Sequence, residues 1–201
     1  MPLPTAEYTL DYTVLGNANP YHNSNFTQID TGNVQIASGA LKPSALNGVT
    51  RYRYNGAMRP GATIRAKIEL GVAHISDFLW AFLLAPDGSG YGAVVSATST
   101  SIVAFTAGAS ETGLISGTLS SANSGDILVL EIVPGTPNNT LNTYLNGALS
   151  LSVLDNTYSP SLMAFGLGFD PENTNTSTIL GFGGDGIAPN SSYYIGGSVE
   201  F

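Results

Sequence analysis

The stretch from position 125 to 168, GDILVLEIVPGTPNNTLNTYLNGALSLSVLDNTYSPSLMAFGLG, decides the fold. At its centre Asn146-Gly147 separates TLNTYL (140–145) from ALSLSV (148–153). Asn and Gly tolerate the positive φ that a type I′ turn requires at both central residues, and that turn's twist matches the twist of paired strands. A two-residue loop fixes the register: Leu145 opposite Ala148, Tyr144 opposite Leu149, Thr143 opposite Ser150 and Asn142 opposite Leu151. One face of the hairpin then carries Tyr144, Leu149, Leu151 and Val153, and the other Thr143, Ser150 and Ser152, with Leu141 and Leu145 at its ends. Before the hairpin, DILVLEIV (126–133) is a near-continuous apolar run stopped by Pro134-Gly135, which predicts a central strand buried on both faces. After it, MAFGLGF (163–169) reads the same way. Four successive strands with tight turns predict a β-meander in an all-β protein.

Outward from that stretch the pattern stays β. Residues 64–70 alternate cleanly, with Ile64, Ala66, Ile68 and Leu70 facing in and Arg65, Lys67 and Glu69 facing out. Residues 78–85 (FLWAFLLA) predict a central core strand, turned back by Asp87-Gly88-Ser89-Gly90. Shorter strands are expected at 34–38, 40–42, 50–54, 91–96 and 101–106, with a weaker one at 112–120, a final short one at 179–182 and Gly183 to Gly186 as its exit. Residues 1–31 are irregular apart from an edge strand near 9–15, and 16–25 is an Asn-rich loop of the kind that carries recognition residues. No internal repeat or heptad pattern interrupts the 201 residues, so one domain is expected, spanning 1–201 with an irregular start and a tail at 187–201.

The residues that chemistry needs are sparse. There is no cysteine, hence no disulfide and no thiolate metal site. Only His22 and His74 could act as a base, and no G-x-S-x-G accompanies them. Glycoside hydrolysis needs two carboxyl groups flanking the scissile bond. Glu131 and Glu69 each stand alone on a strand, and Asp170 and Glu172 are separated by Pro171. Asp170, Glu172, Asn173 and Asn175 have the oxygen atoms of a calcium loop but match no defined motif. The expectation is a non-enzyme with no metal or cofactor. The longest apolar run is too short to cross a bilayer, and a net charge of −8 opposes general binding to nucleic acid.

Charge distribution exceeds background. All six basic residues, Lys42, Arg51, Arg53, Arg59, Arg65 and Lys67, fall between positions 42 and 67, and all fourteen acids lie elsewhere. If strands 50–54 and 64–70 pair antiparallel, Arg51, Arg53, Arg65 and Lys67 share one outward patch with Arg59 near its loop. Such a patch fits an acidic partner surface. Tyr193, Tyr194 and Phe201 in the C-terminal tail are the apolar candidates for the same contact.

The order of these pieces resembles the concanavalin A-like, laminin G-like jelly rolls. GDILVLE (125–131), TYLNGAL (143–149) and VLDNTY (153–158) carry the resemblance, joined more loosely by NFTQI (25–29), GNVQI (32–36), GALKP (39–43) and RYRY (51–54). Phe26 and Val34 stand where such domains commonly have Trp. The resemblance covers roughly residues 10–187. It implies an antiparallel two-sheet jelly-roll sandwich, a fold that hosts lectins, glycosidases, adhesion modules and capsid parts alike. Because such domains are frequent in phage particles, it also implies a non-enzymatic virion protein. The expected role is capsid decoration (cement), in which the chain assembles as a homotrimer, docks on a major capsid or other virion protein, and is exposed on the particle. The alternative is a carbohydrate- or receptor-binding module that uses the Asn-rich loop and Tyr21, Tyr91, Tyr158, Tyr193 and Tyr194.

Overall fold

The computed structural model describes residues 7–18, 23–30, 32–44, 49–72, 77–108, 110–118, 122–171 and 177–188. In chain order the strands are β1 (Tyr8–Asp11), β2 (Phe26–Gln28), β3 (Val34–Ala37), β4 (Ala40–Pro43), β5 (Thr50–Tyr54), β6 (Ile64–Leu70), β7 (Asp77–Leu84), β8 (Gly90–Val95), β9 (Ser99–Phe105), β10 (Glu111–Thr118), β11 (Ile127–Val133), β12 (Asn139–Leu145), β13 (Ala148–Asp155), β14 (Ala164–Pro171) and β15 (Ile179–Asp185). Two single turns of 3-10 helix, Tyr12–Val14 and Pro160–Leu162, are the helical content of the described residues.

The strands form two antiparallel sheets. The larger runs β13-β12-β11-β6-β15-β4-β3, with β1 also on β15; the smaller runs β10-β9-β8-β7-β14-β5-β2. Their inner faces enclose one apolar core, in which Ile64, Ala66, Ile68, Leu128, Leu130 and Ile132 meet Leu79, Ala81, Leu83, Phe165, Leu167 and Phe169. Tyr54 stacks on Phe165 at 4.5 Å between ring centres, and Tyr8, Phe26 and Phe182 close around them. β7, in the middle of the smaller sheet, has both faces covered and reads as an unbroken apolar run, whereas β6, in the middle of the larger sheet, alternates buried and half-buried residues.

The hairpin forms as its sequence predicts, with Asn146 at φ 51° and Gly147 at φ 80°. Its register departs from expectation after two pairs. Leu145 faces Ala148 and Tyr144 faces Leu149, but Thr143 faces Leu151 and Asn142 faces Ser152. Ser150 is the extra residue of a β-bulge, which bends the strand and reverses which of the following residues face inward. Leu151 and Val153 therefore pack on the core beside Leu141 and the fully buried Thr143, while Leu149 and Leu154 are exposed. The expected four-strand meander stops at three. After β13 the chain crosses to the other sheet, where β14 lies between β7 and β5. Nor is β15 a short closing strand: it runs seven residues through Gly183, Gly184 and Asp185 and lies beside β6.

Candidate binding face

The two outward faces differ in kind. On the smaller sheet, Trp80, Phe82, Leu84, Val94, Val103 and Phe105 form a second buried apolar cluster, with Ile29 packed against it. Trp80 and Phe82 stack at 5.3 Å, and Phe105 meets both edge-on. Arg51 closes this cluster. Its side chain is 0% exposed, its guanidinium carbon sits 5.6 Å from the centre of the Phe105 ring, and it donates to the carbonyls of Gly88 and Ala107. Asp30 accepts a two-point contact from Arg51 Nε at 2.8 Å and Nη2 at 2.9 Å. A carboxylate that matches the guanidinium fork this way lets the cation be buried. The face is thereby closed over much of its area.

The outward face of the larger sheet is open and polar. Strand pairing lines up Ser152, Asn142, Glu131, Arg65 and Asp185 in one row across β13, β12, β11, β6 and β15. Tyr144, Val129, Lys67 and Gly183 form the next row. Glu131 is only 4% exposed, and its oxygens accept from Asn142 Nδ2 at 2.9 Å, Tyr144 Oη at 3.0 Å and Arg65 Nε at 2.7 Å. On the far side of Arg65, Asp185 Oδ2 lies 3.6 Å from Nη1, and its Oδ1 accepts from the Glu7 amide. Burial pushes the Asp185 carboxyl above its ordinary value, against the lowering by that amide and by Arg65. Burial, together with donation to Glu131, raises the Tyr144 hydroxyl, so it stays protonated.

Chemically, this row and Tyr144 beside it place a phenol, an amide, a guanidinium and two carboxylates on one surface. Each side chain is held by its neighbour, and strands position such groups more firmly than loops do. The two carboxylates flank Arg65, so the guanidinium stands where hydrolysis would need a water or a glycosidic oxygen. The arrangement offers donors and acceptors suited to hydroxyl groups.

The basic residues that the sequence groups together are separated by the fold. β5 pairs with β14 and β2, whereas β6 pairs with β11 and β15 in the other sheet, so the expected four-cation patch does not form. Arg51 is not a surface cation at all. Arg53 is half-buried against backbone carbonyls, Arg59 pairs with Glu7 at 2.7 Å, and Arg65 is shared by Glu131 and Asp185. Three of the six basic residues, Arg51, Arg59 and Arg65, thus pair with acids from elsewhere in the chain. Tyr193, Tyr194 and Phe201 lie outside the described residues, as do Tyr21, His22, His74, Glu172, Asn173 and Asn175. Glu131, the lone acid of its strand in the sequence, is buried. Asn142 and Tyr144 were legible as alternate residues of the hairpin strand; Asp185 was hidden by the glycines around it, which read as a loop.

No protein-family model and no curated protein matches the sequence. Solved structures do match. The carbohydrate recognition domain of Emp47p aligns with a TM-score of 0.64 at 8% identity, over 92% of this chain and 97% of that one. An endo-1,3-beta-glucanase from Streptomyces sioyaensis aligns at 0.60 and 11% identity, over 92% and 98%. The carbohydrate binding module CBM66 from Bacillus subtilis aligns at 0.54 and 14% identity, over 80% and 95%. The similar structures thus include both binding modules and enzymes. At these identities the likeness concerns architecture alone: the chain has the antiparallel two-sheet jelly-roll fold of the concanavalin A-like domains.

Proposed function

We propose that the protein is a non-enzymatic carbohydrate-binding module whose recognition surface is the outward face of the larger sheet. The observation that carries this reading is the interlocked row Asn142, Glu131, Arg65 and Asp185 with Tyr144 beside it. Sugar hydroxyls are both donors and acceptors, and this row offers both kinds of partner at fixed spacing. Tyr144 adds a ring, and the exposed Leu149 and Leu154 add apolar contact at the rim. Pre-ordering of the side chains lowers the entropy cost of holding a polar ligand. Likeness to carbohydrate recognition domains supports the same reading at the level of architecture.

The virion-decoration expectation, which rests on the resemblance, gains no comparable support, and the cationic facet expected to dock it is divided between the two sheets. A glycan array followed by calorimetry tests the proposal. Saturable binding of a neutral oligosaccharide that Tyr144→Ala weakens at least tenfold, without loss of the folded state, is the expected result. Absence of any glycan ligand, or binding indifferent to Tyr144 and Asn142 substitutions, would overturn it. Release of reducing sugar from the bound glycan would overturn the non-enzymatic part.

A further inference from the structure

The four arginines are not equally compensated. Arg51, Arg59 and Arg65 each meet a carboxylate within 4 Å. Arg53 meets none among the described residues, in a chain with fourteen acids and only six bases. It lies on the outward face of the smaller sheet, at the edge of the closed aromatic cluster, between Thr27 on β2 and Gly166 on β14. Nε donates to the Leu84 carbonyl at 2.8 Å, Nη1 to the Tyr54 carbonyl at 3.1 Å and Nη2 to the Leu162 carbonyl at 3.4 Å. These dipoles fix the plane of the guanidinium but bring no opposing charge. One N–H on each terminal nitrogen is left over, the pair of donors that a carboxylate matches with its two oxygens. A half-buried cation without a counter-ion is costly to hold, and burial lowers the Arg53 pKa accordingly.

Around it, the groups that a sugar acid would meet are in place. Thr27 directly opposite donates its hydroxyl to Asn55 Oδ1 at 2.6 Å, and Asn55 Nδ2 in turn donates to the Ser24 carbonyl. Leu162, whose carbonyl accepts from Nη2, is 61% exposed.

We infer that Arg53 is the anchor of a second binding site, specific for the carboxylate of an acidic sugar residue. The anion site stands on the geometry of Arg53; that a sugar carries the carboxylate rests on the glycan reading above. The site differs in position and chemistry from the Tyr144 face, so the two can fail separately.

The test is titration of the full chain with oligogalacturonate, with a neutral oligoglucoside of equal length, and with acetate. Calorimetry measures affinity, and the Arg53 Nε–H resonance in a 15N-labelled sample reports the site itself. The expected result is that oligogalacturonate shifts that resonance and binds at least tenfold more weakly to Arg53→Gln. Arg53→Lys, which keeps the charge but loses the fork, should also bind more weakly. Should Arg53→Gln fail to fold, the wild-type resonance alone decides. The inference is overturned if oligogalacturonate leaves the Arg53 resonance unmoved, if Arg53→Gln binds as tightly as wild type, or if acetate or the neutral oligoglucoside engages Arg53 as tightly as oligogalacturonate.

Discussion

Gly147 and Gly92 are both indispensable by the present account, for different reasons. Gly147 has φ 80° with open space around its missing Cβ, so a side chain there strains only the backbone. Gly147→Val is expected to cost about 1–2 kcal/mol, a fall of about 2–8 °C in melting temperature, whereas an unchanged melting curve would contradict the turn geometry. At Gly92 the backbone is ordinary, but a Cβ would come within 3.0 Å of Phe105, Trp80 and Phe82. Gly92→Ala should therefore cost about 1–3 kcal/mol by overpacking, and the near-ultraviolet signal of Trp80 should change. Arg51 is the third such position. Replacing it with Gln leaves Asp30 and two carbonyls without their donor, so a loss of about 3–5 kcal/mol is expected, measured by denaturant unfolding. The turn at Gly147 could be read from two letters of sequence. The demand at Gly92 could not, because the rings above it come from β7 and β9.

Among the elements, β15 shows how much the sequence withheld. Its sequence suggests a strand that ends at 182 with Gly183 to Gly186 as its exit, yet the strand continues to Asp185 beside β6 in the larger sheet and brings that carboxylate to Arg65. Gly184 has the Phe165 ring against it, closer than any side chain could tolerate, so the strand is glycine-rich because the opposite sheet presses on it. β6, β7 and β11 were legible for the opposite reason: their apolar periodicity and length answer directly to burial on one or both faces. The bulge at Ser150 left no local mark and changed the inward residues of half a strand. Asp185 supplies a prediction on pH. Because its folded-state pKa is raised, the folded form binds more protons than the unfolded one above about pH 4, and the Asp185 contribution to stability declines as pH rises through that window. Glu7, Asp126 and Asp155 have lowered values and contribute the opposite slope at more acid pH. The difference between wild type and Asp185→Asn isolates the first effect. The stability of the variant relative to wild type should rise between pH 4 and pH 6, and a difference independent of pH would contradict the burial assigned to this carboxyl.

For the whole molecule, the sandwich could be read from strand patterns and turn chemistry, but which strand joins which sheet could not. That choice separates Arg51 from Arg65 and replaces a supposed cationic patch by internal ion pairs. The sheet edges bear on association. β2 and β3 are three and four residues long, while β10 and β13 carry irregularities after Gly113 and at Ser150. Short or bulged edges resist pairing with another chain, so light scattering at micromolar concentration is expected to report a monomer, little changed by salt. A salt-sensitive trimer would instead revive an assembly role. Mapping amide shifts of the 15N-labelled protein during titration with the neutral oligosaccharide selected on the array tests glycan recognition on the open face of the larger sheet. Recognition there predicts perturbations at Asn142, Tyr144, Glu131, Arg65, Lys67 and Asp185, with the Trp80–Phe105 cluster silent. Shifts confined to the smaller sheet, or none at saturating ligand, would contradict it.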